Sequence, residues 1–349
     1  VESLNHYAAL LTTLTSLKDR VDDYASRCLP DHMCDRSKGP SSGFSFEKVD
    51  LSKVFPDAEG TTVGVAVEGA SIPFLFSNWS RSQVLSHVGA KEKWFRSVTH
   101  DRQVDELNLR RSEFHRQRLR LVKSAEGEPV GVVRGVVSDS FSDIPDTDVM
   151  SAIVRSSGAK GYALASHSAK TDRAFYAHII LDEEIGLPGN LIHGFPGVVV
   201  KNSEVGYTAL CVIPVLFLPT IRRHIVFSRQ ATMRRIHRGS VSELSTQFNE
   251  ALDKSAGVWA SVEQRCTQLA SIVYATEDQA VLTLRAAIIY VGGSKKQALL
   301  AENEYRGAKH TTHTALAAFD SVLSLVSSSN QDEQHLEAAL AGAVLWALT

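Results

Sequence analysis

Cysteine is scarce. Cys28, Cys34, Cys211 and Cys266 are the four in 349 residues, too few and too scattered for a disulfide framework. That scarcity points to a reducing, cytoplasmic setting. Long apolar runs are lacking as well. The longest, around Cys211 to Ile221 and Ala338 to Leu348, fall short of the ~20 residues a membrane span needs, and residues 1–29 carry charges that a signal peptide excludes. Catalytic signatures are missing too. Ser166-His167-Ser168 and His193-Gly194 stand without a nucleophile elbow. Gly292-Gly293-Ser294-Lys295-Lys296 lacks the spacing of a phosphate loop and reads better as a helix stop and restart. Cys28, His32 and Cys34 are three ligands where a structural zinc site needs four. The expectation is a protein without enzymatic activity, cofactor, metal or membrane partner.

What is present is a strong segregation of charge. The formal net charge is −2, yet no acidic residue falls between Glu204 and Glu243. That interval carries Arg222, Arg223, Arg229, Arg234, Arg235 and Arg238, with His224 and His237. A basic stripe on strands and their exit loop is the electrostatic footprint of a polyanion partner. A second patch, Arg110 to Lys123, continues into Arg118-Leu119-Arg120-Leu121, a half-buried strand pattern that could join the same sheet. Arg118, Arg120 and Lys123 would then form a second rail of phosphate contacts. Phe227, Tyr207, Phe175 and Tyr176 are candidates for stacking on unpaired bases.

The elements expected from periodicity give an α+β protein: a central antiparallel sheet with flanking helices, then an all-helical C-terminal part. Residues 1–46 read as one amphipathic helix (2–29) and a Pro/Gly/Ser-rich linker (30–46). Residues 47–239 read as a mixed core. Its hairpin (61–67 with 70–76) is followed by helices over 80–98 and 101–116, strands over 118–123 and 130–137, and a short helix from Asp146 or Thr147 to Arg155. Strands then follow over 162–168 and 174–181. The basic stretch holds the β-branched run Val198-Val199-Val200 and a long apolar run, Tyr207 to Leu218, interrupted by Pro214. Residues 240–349 read as helices over 244–273, from Thr276 with Gln279 as capping box, and near 310–327 and 331–347. This tail has twelve acidic and seven basic residues, the opposite sign to the basic stretch.

Asp139, Asp143, Asp146 and Asp148 do not match a calcium loop; turn and capping duties suit Asp143 and Asp146 better. Glu204 is the acid of most interest, because a carboxylate between strands needs a partner; an arginine of the basic stretch is the expected one.

Asn202-Ser203-Glu204-Val205-Gly206, the strand that follows, and Arg234-Arg235-Ile236-His237-Arg238-Gly239 together resemble the core pattern of a phage- and plasmid-encoded family of unknown function. Val136 to Asp146 and Thr311 to Ala315 are similar to two further segments of it, so the likeness spans roughly 80–345. The family's Cys and Asn-Gly pair after the long strand is absent here, where Arg222 to Phe227 stand instead. The resemblance implies a mobile-element origin, and marks Asn202, Glu204 and Gly206 as a structural motif. In outline, basic strands followed by a long helix also resemble phage single-strand annealing proteins. The leading expectation is an oligomeric protein that binds and anneals single-stranded DNA or RNA in a bacterial cytoplasm, with a role in recombination. The alternative is a structural or assembly protein whose basic sheet meets the acidic tail of a neighbouring subunit. A nuclease using Asp139, Asp143 and Glu204 is a third, weaker reading.

Overall fold

The structure is a computed structural model that describes residues 11–12, 14–28, 32–34, 43–53, 55, 59–114, 116–123, 129–157, 162–165, 168–171, 173–181, 185–186, 193–219, 223–226, 231–235, 237, 243–326 and 331–348. In chain order it begins with β1 (Leu11–Thr12), α1 (Leu14–Ser26) and β2 (His32–Cys34). Next come β3 (Phe44–Asp50), β4 (Thr61–Val67), β5 (Phe74–Phe76), α2 (Asn78–His87), α3 (Glu92–Ser97) and α4 (His100–Leu109). The hairpin of β6 (Gln117–Lys123) and β7 (Gly131–Ser138) leads to α5 (Asp146–Ser157). The strands β8 (Tyr162–Ala165), β9 (Ala169–Lys170), β10 (Phe175–Leu181), β11 (Ile185–Gly186), β12 (His193–Asn202), β13 (Leu210–Leu218), β14 (Arg223–Val226) and β15 (Met233–Arg235) follow. Five helices close the chain: α6 (Leu244–Ser271), α7 (Glu277–Tyr290), α8 (Lys295–Gly307), α9 (Ala315–Asp320) and α10 (Gln331–Ala347).

The α+β architecture with an all-helical C-terminal part is as expected, but the strands divide between two sheets. One is nine-stranded, with the path β1-β8-β10-β12-β13-β14 and β9, β11 and β15 alongside. The other is six-stranded, in the order β2-β6-β7-β5-β4-β3. Among the described strands, pairing is antiparallel except between β5 and β7. The Arg118–Arg120 strand therefore does not join the basic strands. Its two flanks are taken by β2 and β7, and it belongs to the smaller sheet.

Three apolar layers hold these sheets. The larger sheet is covered on one face by α1, α5 and the first half of α6, through Leu17, Ile153, Val200, Phe248 and Leu252. Its other face meets the C-terminal helices through Val199, Val215, Cys266, Leu284, Leu316 and Leu345. All nine residues of β13 are buried, which is why its sequence is a continuous apolar run and not an alternating one. Pro214 fits this central strand because β15 pairs with 210–212 and β14 with 215–218, leaving its ring at the gap between them. The smaller sheet packs Phe46, Val65, Phe74 and Val133 against Val84, Leu107 and Phe114.

Several local expectations are corrected. Leu11–Thr12 pairs with β8 as a strand, so the described helix starts at Leu14. The expected linker contains β2 and the start of β3. The expected helix over 80–98 is two, broken at Gly89 with φ +65°, a conformation glycine adopts without strain. The tail holds a further helix, α8, opened by a Ser294–Gln297 capping box. Among the described residues, no helix is long and apolar enough to cross a membrane.

The free edge strand of the smaller sheet, β3, is blocked from within. The Phe46 amide donates to Asn108 Oδ1 at 2.9 Å, and Asn108 Nδ2 donates back to the Phe46 carbonyl at 2.8 Å. Arg111 donates to the Phe44 carbonyl at 2.9 Å. A side-chain amide thus takes the place of a further strand, a known defence against edge-to-edge pairing.

Candidate functional site

The two sheets meet at the loop that ends β12, Asn202-Ser203-Glu204-Val205-Gly206. Asn202 is fully buried and donates to the Ile144 carbonyl at 2.8 Å and to Asp146 Oδ1 at 2.6 Å. Ser203 Oγ accepts from the amides of Val205 and Tyr207 at 3.3 and 3.0 Å, which winds the loop into a tight turn. Gly206 completes that turn with φ +72°. The Val205 carbonyl accepts from Trp79 Nε1 of α2 at 3.1 Å, tying the loop to the smaller sheet.

Glu204 is the centre of this junction. Its Oε1 accepts from the Asp146 amide at the start of α5, 2.9 Å away, where a carboxylate also complements the helix N-terminus. Its Oε2 pairs with Arg134 of β7 at 3.0 Å and with Lys170 of β9 at 3.3 Å. Lys170 also pairs with Asp146. The Tyr24 ring lies against both cations, 4.7 Å from Arg134 and 5.0 Å from Lys170. Arg134, Lys170 and Asp146 are almost wholly buried and Glu204 nearly so. Two cations and two carboxylates thus neutralise one another out of water, the condition for a buried charge to persist. Burial alone would raise the Glu204 carboxyl, but Lys170, Arg134 and the Asp146 amide pull it down to about 2. For Asp146, burial wins over Lys170 and its carboxyl is raised. The partner of Glu204 is therefore not an arginine of the basic stretch, as the sequence suggested. Arg134 and Lys170 escaped notice because neither stands in a charge cluster.

The acids of the nuclease reading are held by cations as well. Asp139 pairs with Arg116 at 2.9 Å, and Asp143 with Arg120. Among the described residues no group of three or more His, Cys, Asp or Glu is placed to hold a metal. Arg120 also donates to the Glu204 carbonyl, and Arg118 to the carbonyls of Phe141 and Ser138. Both guanidiniums thus lace the sheet junction; the Arg120 side chain is only 14% exposed. Lys123, at the far end of β6, is exposed.

The basic stretch is divided by β13. Arg234 and Arg235 pair with its first residues, Cys211 and Leu210. Arg223 pairs with its last, Leu218. The two sites are about 23 Å apart along a strand that rises ~3.3 Å per residue. Arg222, Arg229, Arg238 and Phe227 lie outside the described residues. Of the aromatic candidates, Phe175 and Tyr176 are buried in the core and present no face for stacking. Among the described candidates, Tyr207 is the one that reaches a cleft.

That cleft has a volume of about 600 Å³ and opens beside the junction, lined by Ser138, Ser140, Phe141, Gly206, Tyr207, Thr208, Ala209, Arg234 and His237. No carboxylate is among these lining residues. Phe141 and His237 stack with centroids 4.6 Å apart and planes 14° apart; burial lowers the His237 pKa, keeping the imidazole neutral at pH 7. Tyr207 meets the Trp79 ring edge-on at 5.0 Å, with Arg173 at 5.2 Å and Lys201 at 5.3 Å from its centroid. Arg234 is exposed at the cleft's edge. Lys201, Cys211 and Arg234 are register partners across β12, β13 and β15, and so share one face of the sheet. Lys201 and Arg173 were missed in the sequence because each is a single cation. Their shared place beside Tyr207 depends on the β10–β12 pairing. No family model, no characterised protein sequence and no solved structure matches the chain.

Proposed function

We propose that the chain is a non-enzymatic, self-associating protein that binds and anneals single-stranded nucleic acid, with the Tyr207–Arg234 cleft as its contact surface. The supporting observation is a tyrosine ring with two cations over it, Arg173 and Lys201, beside a cleft with no carboxylate among its described lining residues. Sequence-tolerant single-strand binding needs this combination: rings on which bases stack, and cations along the backbone. The cleft volume falls within the roughly 300–1,000 Å³ of small-ligand sites, room enough for one splayed base. The phosphate contacts in this reading come from Arg234, Lys201 and Arg173, not from the Arg118–Arg120 rail, which is spent inside the junction. The likeness to phage and plasmid proteins rests on the residues quoted for it and suggests a mobile element in a bacterial cytoplasm.

Fluorescence anisotropy of labelled single-stranded and duplex DNA, titrated at several salt concentrations, tests this. Three contacts predict a log–log salt slope of about −2, at ~0.7 per phosphate on a single strand. Arg234→Ala should weaken binding to all sequences and make the slope shallower by about 0.7. Arg120→Ala, whose guanidinium is internal, should leave the slope unchanged. Weak binding without preference for single strands, or a slope indifferent to Arg234→Ala, would overturn the proposal. The chain would then be read as a structural or assembly protein, a reading favoured by the exposed apolar side chains Leu282, Tyr290 and Leu336 on its C-terminal helices.

A further inference from the structure

The helix α7 is amphipathic in an unusual sense, because both of its faces carry apolar residues. Val281, Leu284 and Ile288 point into the core, which fixes the helix firmly. On the opposite side Leu282, Ile289 and Tyr290 are 66%, 47% and 83% exposed. With Ala286, also exposed, they follow the 4-3-1 spacing of one continuous helical stripe.

We infer that this stripe is the docking surface for a second copy of the same chain, packed with α7 antiparallel to α7 about a two-fold axis at Ala286. A two-fold contact must be complementary to itself, and three features of α7 satisfy that condition. Ala286 lies at the centre of the stripe, where a small side chain lets two helices approach closely. Rotation about that point sets Leu282 of each copy beside Tyr290 of the other, so the longest side chains fill the flanks. Charge settles the direction. Asp278, in the first turn, keeps a 78% exposed side chain while pairing with Arg306 of its own chain at 2.9 Å, and lies about 12 Å before Ala286 at ~1.5 Å per residue. Lys295 and Lys296, both exposed, follow the other end of the helix. The antiparallel arrangement brings acid opposite base at both ends, whereas a parallel one would set Asp278 against Asp278. The inference supplies the surface for the self-association in the functional proposal, and it makes no use of the nucleic-acid cleft.

Sedimentation equilibrium of the full chain is the test, with circular dichroism to confirm folding of each variant. The intact chain should show a concentration-dependent dimer. Ala286→Arg, at a solvent-exposed position, should leave the fold intact and abolish association. Asp278→Lys should weaken it by about tenfold, through two like-charge contacts. Combining it with Lys295→Glu and Lys296→Glu should restore dimerisation, a rescue that no other arrangement predicts. A chain that stays monomeric at every concentration would overturn the inference, as would an oligomer indifferent to Ala286→Arg. Binding of labelled single-stranded DNA by the Ala286→Arg monomer separates the two ideas. Loss of dimer with cleft binding retained supports this interface whatever the fate of the annealing activity.

Discussion

Replacing Glu204 by Gln removes one charge from the sheet junction and leaves its shape nearly unchanged. Arg134 and Lys170 would then share a single carboxylate, Asp146, in a site where their side chains are 3% and 4% exposed. Breaking a buried pair by deleting one partner costs about 3–5 kcal/mol, because the remaining charge is stranded. The lowered carboxyl of Glu204 leads to a similar figure. A carboxyl lowered from 4.5 to about 2 corresponds to about 3–4 kcal/mol at ~1.4 kcal/mol per pH unit. The sign follows from the direction. This stability is present above the unfolded pKa near 4.5 and is lost as pH falls towards 2. Asp146, raised by burial, acts the other way, since it binds its proton more tightly when folded. At neutral pH, Glu204→Gln should therefore lose about 3 kcal/mol in urea denaturation. For a 349-residue chain unfolding as one unit, ~2.1 cal/mol/K per residue converts this to a fall in Tm of about 4 °C. Trp79, bonded to the same loop, reports the transition by fluorescence. The difference between wild type and variant should shrink as the pH is lowered from 5 to 3, because Glu204 takes up a proton in the unfolded chain over that range while the folded carboxylate stays ionised. A variant within about 0.5 kcal/mol of wild type, the range of ordinary surface substitutions, would refute the view that this ion cluster joins the sheets.

Two other substitutions test the fold around the site. Asn108→Ala should expose the amide and carbonyl of Phe46 on the β3 edge, costing about 1–3 kcal/mol and raising aggregation measured by light scattering. Gly197→Ala should fail in the centre of the larger sheet. An added Cβ would lie 2.3 Å from the Ile179 carbonyl oxygen, and backbone on the neighbouring strand cannot move aside cheaply; a loss of more than about 2 kcal/mol in urea is expected, and an unchanged midpoint would contradict the register of β10 and β12.

Much of the fold was legible because it is written in local periodicity. The run Val198-Val199-Val200 reads as a buried strand, and Leu244, Phe248 and Leu252 as a helix face, without knowledge of what they touch. Thr276, followed by Gln three residues later, marks a helix start by the same local chemistry. The two residues of β1 were misread because Leu11 continues the spacing of α1; a two-residue strand is defined by its partner and not by its own pattern.

The site was legible in outline only. The sequence by itself determined that the interval from Val205 to Ser242 lacks carboxylates, that Tyr207 to Leu218 is apolar, and that Glu204 needs a buried partner. Each of these follows from residue type and near neighbours. Only the tertiary structure decided that Arg134, 70 residues away, is that partner. It also placed Arg118 and Arg120 in a different sheet, and set Arg223 and Arg234 at opposite ends of β13. Strand pairing joins residues far apart in the chain, and no local spacing encodes which edge a strand will choose. Charge can be counted along a sequence; whether it faces solvent, a ligand or its own opposite depends on the packing that surrounds it.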